Sequence, residues 1–225
     1  MPAQCILCYI TDRTALTGDE ASRRRLLLQK IREAAGAGVD YIQLREKDLS
    51  TRDLETLARE VVDAIREASQ LRTENRELRT ALLINSRTDV ALAVAADGVH
   101  LRSDDISPYD IRKLWKCGAG APARELSSNS PMIGASCHSP VEVAVAASNG
   151  VTFAVFGPVF GKKDNLPAGL DLLRLSCRAN LPVLALGGVT LANAHSCLAA
   201  GAAGIAGIRL FQDNDVAMVV KELRG

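Results

Sequence analysis

Gln43, Arg45 and Lys47 occupy alternate positions, so in an extended segment their side chains share one face. Two cations beside an amide suit a diphosphate, because arginine grips phosphate oxygens through a planar fork and lysine adds a point charge. Asn85 can donate to the same group, and Asp105 is the hard oxygen ligand that Mg²⁺ takes when it bridges a carboxylate and phosphates. Taken by itself, Arg45-Glu46-Lys47 also reads as a turn on a solvated rim. A second anion seat is visible near the other end, where the apolar runs Pro182–Gly188 and Gly204–Arg209 end in glycine or backbone-rich sequence and are joined by a helix-like stretch, Thr190–Gly201. Glycine lets an anion approach the chain, and a helix N-terminus adds positive potential. His138 follows an apolar run, and an imidazole suits general acid–base work or a bond to a loop carbonyl. His100 reads equally well as packed inside a barrel, and His195 as a helix residue.

These residues need elements that bring them together. Eight apolar runs read as strands: Ile6–Asp12, Tyr41–Glu46, Ala81–Ser86, Gly98–Leu101, Met132–Cys137, Phe153–Pro158, Val183–Gly188 and Gly204–Leu210. Helical patterns lie between them, including Ala21–Ala37, Arg52–Ala68, Asn193–Ala200 and Asp215–Leu223. Ser50 is placed to cap the second helix, with Asp53 three residues on, and Ser107-Pro108 and Ser139-Pro140 each read as an N-cap followed by proline. Strand and helix alternating eight times predicts an α/β fold, a (β/α)8 TIM barrel in one domain over residues 1–225. The alternative, an open doubly wound sheet, lacks a Gly-x-Gly-x-x-Gly after the first strand. Residues 117–131, rich in Gly, Ala, Ser and Pro, read as a surface insertion. In a barrel the strands' carboxyl ends converge on one mouth, and here those ends are polar almost throughout.

Composition narrows the class. A net charge of +1, from 27 basic and 26 acidic residues, gives no whole-chain footprint for nucleic acid or a membrane, so any anion preference is local. With no membrane-length apolar run and no signal-peptide pattern, a cytoplasmic enzyme is the expectation. Cys5 and Cys8 form a Cys-x-x-Cys, but inside an apolar strand and with no second pair they read as small buried side chains.

The segments Gln43-Leu-Arg-Glu-Lys47, Asp97-Gly-Val-His-Leu101, Ile133-Gly-Ala-Ser-Cys-His138, Phe156-Gly-Pro-Val-Phe160, Gly169-Leu-Asp-Leu-Leu173, Leu186-Gly-Gly-Val189 and Ala200-Gly-Ala-Ala-Gly-Ile205 resemble, in order and spacing, the thiamine phosphate synthase family, which also holds the TenI-type thiazole tautomerases. The resemblance implies a barrel transferase. It would join an aminopyrimidine-methyl diphosphate to a thiazole phosphate, with Mg²⁺ assisting, to give thiamine phosphate and diphosphate. The diphosphate would leave early, and the thiazole nitrogen would capture a pyrimidine-methyl cation. The resemblance places Gln43, Arg45, Lys47, Asn85 and Ser136 on the diphosphate, and Gly188 with the backbone at Ile208 and Arg209 on the thiazole phosphate. It places Mg²⁺ on Asp105, with Ser86 as a weak neutral ligand where the family has a second Asp. The family's Thr-x-Thr-Lys loop is here Gly161-Lys-Lys-Asp-Asn165, so Lys162 or Lys163 stands in for its lysine, and Arg209 replaces a serine. Two other readings compete: a metal-free tautomerase with His138 as acid–base, and a non-catalytic phosphate-ligand-binding homologue. The partners implied are the two small-molecule substrates, with a homo-oligomer left open.

Overall fold

The computed structural model describes residues 4–70, 79–117, 130–161 and 166–225. Lys162, Lys163 and nearly all of the 117–131 insertion lie outside them. Eight strands form a closed barrel in sequence order: β1 (Ile6–Ile10), β2 (Tyr41–Leu44), β3 (Ala81–Asn85), β4 (Gly98–Leu101), β5 (Met132–Cys137), β6 (Phe153–Phe156), β7 (Val183–Ala185) and β8 (Gly204–Gly207). Every pairing is parallel, including β8 against β1, so no edge is left open. The helices are α1 (Glu20–Ala37), α2 (Thr51–Gln70), α3 (Thr88–Ala93), α4 (Pro108–Lys116), α5 (Pro140–Ser148), α6 (Gly169–Ser176), α7 (Leu191–Ala199), α8 (Arg209–Gln212) and α9 (Val216–Arg224).

Strands buried on both faces explain the unbroken apolar runs. One side chain set fills the barrel: Cys8, Ile10, Leu83, Phe153, Val155, Leu184 and Ala206. Tyr41 stacks on Phe153 near its floor, ring centroids 4.8 Å apart. The alternate set, Leu7, Ile42, Leu82, Ile84, Val99 and Ile133 among others, packs outward against the helices. Along α2, Leu54, Leu57, Ala58, Val61, Ala64, Ile65 and Ala68 recur at helical spacing and form its buried face. The expected caps are present. The Ser107 and Ser139 hydroxyls accept from the backbone of Asp110 and Glu142, and Ser50 does the same for Asp53. Cys8 lies wholly inside the barrel, where burial pushes its thiol up to about 12, and Cys5 is half-buried on the outer side of the strands.

Four expected strands end one or two residues early, and two end three early. β1 stops at Ile10 rather than Asp12, β2 at Leu44 rather than Glu46, β3 at Asn85 rather than Ser86, β6 at Phe156 rather than Pro158, and β7 at Ala185 rather than Gly188. The polar ends leave the ladder to form the mouth loops. β8 likewise ends at Gly207 rather than Leu210, because Arg209 already begins α8.

At the opposite face the chain ends are tied together. The Arg224 guanidinium donates to the carbonyls of Cys5 and Gly38, 3.0 and 2.7 Å away, and pairs with Asp40. Asp40 also accepts from the Leu7 N–H at 2.7 Å. Two glycines let neighbouring strands touch here. A Cβ on Gly98 would lie 1.9 Å from the Met132 carbonyl oxygen, and one on Gly204 would lie 1.9 Å from that of Ile6. A Gly98→Ala substitution is expected to destabilise the barrel by about 3 kcal/mol, at the upper end of overpacking costs. Urea unfolding checks this, and an unchanged midpoint would show that the strands separate freely.

Candidate active site

Tyr41 points into the barrel, so Gln43, two residues on, points in as well and is the last interior residue of β2. It is buried, and its Nε2 donates to Asn85 Oδ1 at 2.9 Å. Its Oε1 is buried without a partner. Asn85, the last residue of β3, passes the chain on by donating from Nδ2 to Ser86 Oγ at 3.2 Å. Ser86 itself holds a left-handed backbone, φ 60°, a conformation rare outside glycine and often found at functional sites.

His100 on β4 lies against β5. Its Nε2 is 2.9 Å from Ser136 Oγ, while Nδ1 is buried without a partner. Gly134 makes the room, since a Cβ there would lie 2.7 Å from His100 Nδ1. Burial, together with the nearby Arg45 charge, lowers the His100 pKa to about 4, so the ring is neutral at pH 7. His138, after β5, is exposed, and its Nδ1 lies 2.6 Å from the Gly157 carbonyl oxygen. A carbonyl only accepts, so Nδ1 is the donor in this contact.

The cations concentrate on one rim. Arg45 and Lys47 have no carboxylate partner within ion-pair distance among the described residues. Lys47 is exposed in the turn after β2, and its pKa is lowered chiefly by Arg45, then by desolvation and Arg102. Arg102 pairs with Asp104 at 3.1 Å and lies 3.7 Å from Asp105. Asp105 accepts from the Arg102 N–H at 2.7 Å, and its side chain is 11% exposed. Arg45, Lys47 and Asp105 therefore share a sector of the mouth with the His100–Ser136 pair. The extended segment from Gln43 to Lys47 expected from alternation breaks at Leu44, so Lys47 reaches this sector from a turn.

Across the mouth, Gly187 and Gly188 have φ of 93° and 66°, and a Cβ on Gly188 would lie 2.7 Å from the Phe160 carbonyl. The N–H groups of Gly188, Val189, Ile208 and Arg209 have no acceptor among the described residues. Unpaired backbone donors at the ends of adjacent strands are groups of the kind that anions approach. The Arg209 side chain is exposed at the start of α8.

A carboxylate-rich group was missed by sequence reasoning. Arg13, just after β1, is buried and meets Glu46 at 3.2 Å, Asp48 at 2.7 Å and Glu20 at 2.6 Å. The available signal was the alternation of Glu46 and Asp48 with Arg45 and Lys47. Among the described residues, no group of three or more His, Cys, Asp and Glu side chains is gathered as a metal cage.

The family model described as "Thiamine monophosphate synthase" matches residues 8–211. A putative thiamine-phosphate synthase from Geobacter sulfurreducens is 38% identical over 205 residues, covering 89% of this chain and 83% of that one. A thiamine-phosphate synthase from Syntrophomonas wolfei is 35% identical over 224 residues, covering 97% and 94%. Among solved structures, a thiamine phosphate pyrophosphorylase from Pyrococcus furiosus superposes with a TM-score of 0.75 at 28% identity, covering 99% of this chain and 95% of that one.

The neutral His100 has a pH consequence. Its folded pKa lies below the unfolded value of about 6.5, so the unfolded state binds more protons between roughly pH 6.5 and 4. Stability is therefore lost as pH falls through that window, by up to about 3 kcal/mol from this group. Urea unfolding at pH 7 and 4.5 should show a smaller acid loss in His100→Asn than in the wild type. Equal losses would remove His100 as a source.

Proposed function

The chain belongs to the thiamine monophosphate synthase family and is a transferase enzyme, and we propose that it performs the condensation at the barrel mouth just described. The pyrimidine-methyl C–O bond breaks with its electron pair going to the leaving diphosphate. The thiazole nitrogen then gives its lone pair to the methylene carbon. No proton leaves or arrives in this exchange, so the protein's work is electrostatic and positional.

The observation that carries this reading is the pair Arg45 and Lys47 after β2, near enough for Arg45 to lower the Lys47 pKa and with no ion-pair partner among the described residues. Developing negative charge on the diphosphate relieves their repulsion, which strengthens the interaction as the bond breaks. Ser136, fixed by His100, supplies a further donor to the leaving group. Gln43 has a second contact to offer besides the diphosphate. One of its N–H groups is spent on Asn85, and its unpartnered Oε1 is an acceptor that suits the exocyclic amine of the pyrimidine. The four free N–H groups at Gly188, Val189, Ile208 and Arg209 take the thiazole phosphate, with the Arg209 side chain at their edge.

Asp105, mostly buried, is an oxygen donor of the type Mg²⁺ takes alongside water and phosphate oxygens, and the Ser86 hydroxyl would be its weaker companion. When bound, Mg²⁺ neutralises charge on the diphosphate. Arg102 orients Asp105 by its backbone N–H. His138, with Nδ1 committed to Gly157, lines the wall and transfers no proton in this reaction. The expectation that Lys162 or Lys163 stands in for the family's lysine falls outside the described residues. The setting proposed is the cytoplasm.

Diphosphate release from the two phosphorylated substrates with Mg²⁺ tests the reading, and no turnover at high enzyme would overturn it. Arg45→Ala should cost about 100- to 1,000-fold in kcat/KM, as removal of a preorganised charge-stabilising donor does. His138→Asn should stay within about tenfold of wild type, short of the ~100-fold that losing an acid–base group costs. A larger loss would favour the proton-transfer chemistry of a thiazole tautomerase.

A further inference from the structure

We propose that Arg13 and Glu46, completed by Asp48, are positioning residues that hold the Arg45–Lys47 cation pair in register for diphosphate; this rests on the leaving-group assignment above. The side chains at 45 to 48 alternate in destination. Those of 46 and 48 turn to Arg13, and those of 45 and 47 are left for the mouth. The Glu46 side chain is 1% exposed and that of Arg13 is 5% exposed, so neither is a solvated surface charge. Glu46 accepts from the Thr11 hydroxyl at 2.6 Å, from the Arg13 N–H at 3.0 Å and from Arg13 Nη1 at 3.2 Å. The same Thr11 oxygen accepts from the Arg45 N–H at 3.0 Å. Arg13 then grips Asp48 with both Nη atoms, at 2.7 and 2.8 Å.

A continuous relay thus runs from the Arg45 backbone through Thr11, Glu46 and Arg13 to Asp48. It brackets Lys47 on both sides. Two like charges two residues apart repel, and a slack loop would let them splay into solvent and lose their common focus. The relay removes that freedom before any ligand arrives. Its bonds are charge-assisted and buried, so they are strong and geometrically selective. The preorganisation is spent on the diphosphate alone, because the backbone donors at Gly188 and Ile208 lie on other strands.

Glu46→Gln keeps the shape and the oxygen facing Thr11 but puts an amide N–H against the Arg13 fork. Binding of inorganic pyrophosphate with Mg²⁺, read by calorimetry on the folded variant, should weaken about tenfold, the order expected from a small misplacement of a binding group. Binding of the thiazole phosphate should be unchanged. In an Arg45→Ala/Lys47→Ala background, the same Glu46→Gln change should have no effect on pyrophosphate, because the clamp then has nothing to position. If Glu46→Gln does not fold, the half-exposed Asp48→Asn, which leaves the buried pair intact, should give the same pattern at roughly threefold, the scale of a part-exposed ion pair. Undiminished pyrophosphate binding in the folded variants, or a loss that persists in the double-alanine background, would overturn the clamp. Failure of the wild type to bind pyrophosphate would instead bring down the leaving-group assignment, and the clamp with it.

Discussion

Closing eight parallel strands into a ring puts every carboxyl end on one side, and the rest of the molecule follows from that constraint. The ring is too narrow to be a channel. Phe153, Tyr41, Leu83, Val155 and Leu184 fill it, so a ligand is excluded from the interior and can sit only on top. Side chains that are distant in sequence, such as Asn85 and Gln43 or His100 and Ser136, become hydrogen-bonded neighbours because adjacent strands end level. The chemistry is then decided by the few residues that follow each last ladder bond.

What those residues share is incompleteness. Buried polar atoms normally find partners, yet among the described residues Gln43 Oε1 and His100 Nδ1 have none, and four backbone N–H groups across the mouth are also open. Arg45 and Lys47 have no ion-pair partner among the described residues, while Arg13 has three carboxylates. The sorting is by register. Carboxylates at 46 and 48 serve the scaffold, and cations at 45 and 47 serve the ligand. Burial shows the same division: the structural arginine is dry, and the functional lysine is wet.

The barrel was legible because strands buried on two faces must be apolar throughout, and eight such runs separated by helical spacing have few other solutions. The strand ends were less legible. Thr11-Asp12 and Arg45-Glu46 keep an extended look after the ladder has stopped, since sequence carries the side chain pattern and not the missing hydrogen bond. Arg209 was read as strand because α8 has only one turn, too short to leave a period. Most of the site was legible as a list of polar strand ends. The function of Arg13 was not, because a basic residue after a strand resembles any surface charge, and only the fold brings it beneath Glu46 from 33 residues away. The free Oε1 of Gln43 could not be foreseen either, as it depends on which neighbour takes the amide N–H.

The Arg224 knot at the far face has a consequence for how the chain comes into being. Its guanidinium reaches back 219 positions to Cys5, and β1 receives its last lateral partner only from β8. During synthesis on a ribosome, therefore, the opening strand waits with one flank bare until the final helix has emerged. A nascent chain of this design carries an unsealed hydrophobic seam while β2 to β7 are being added, the state in which chaperone capture or mispairing with a neighbouring nascent chain has its opportunity.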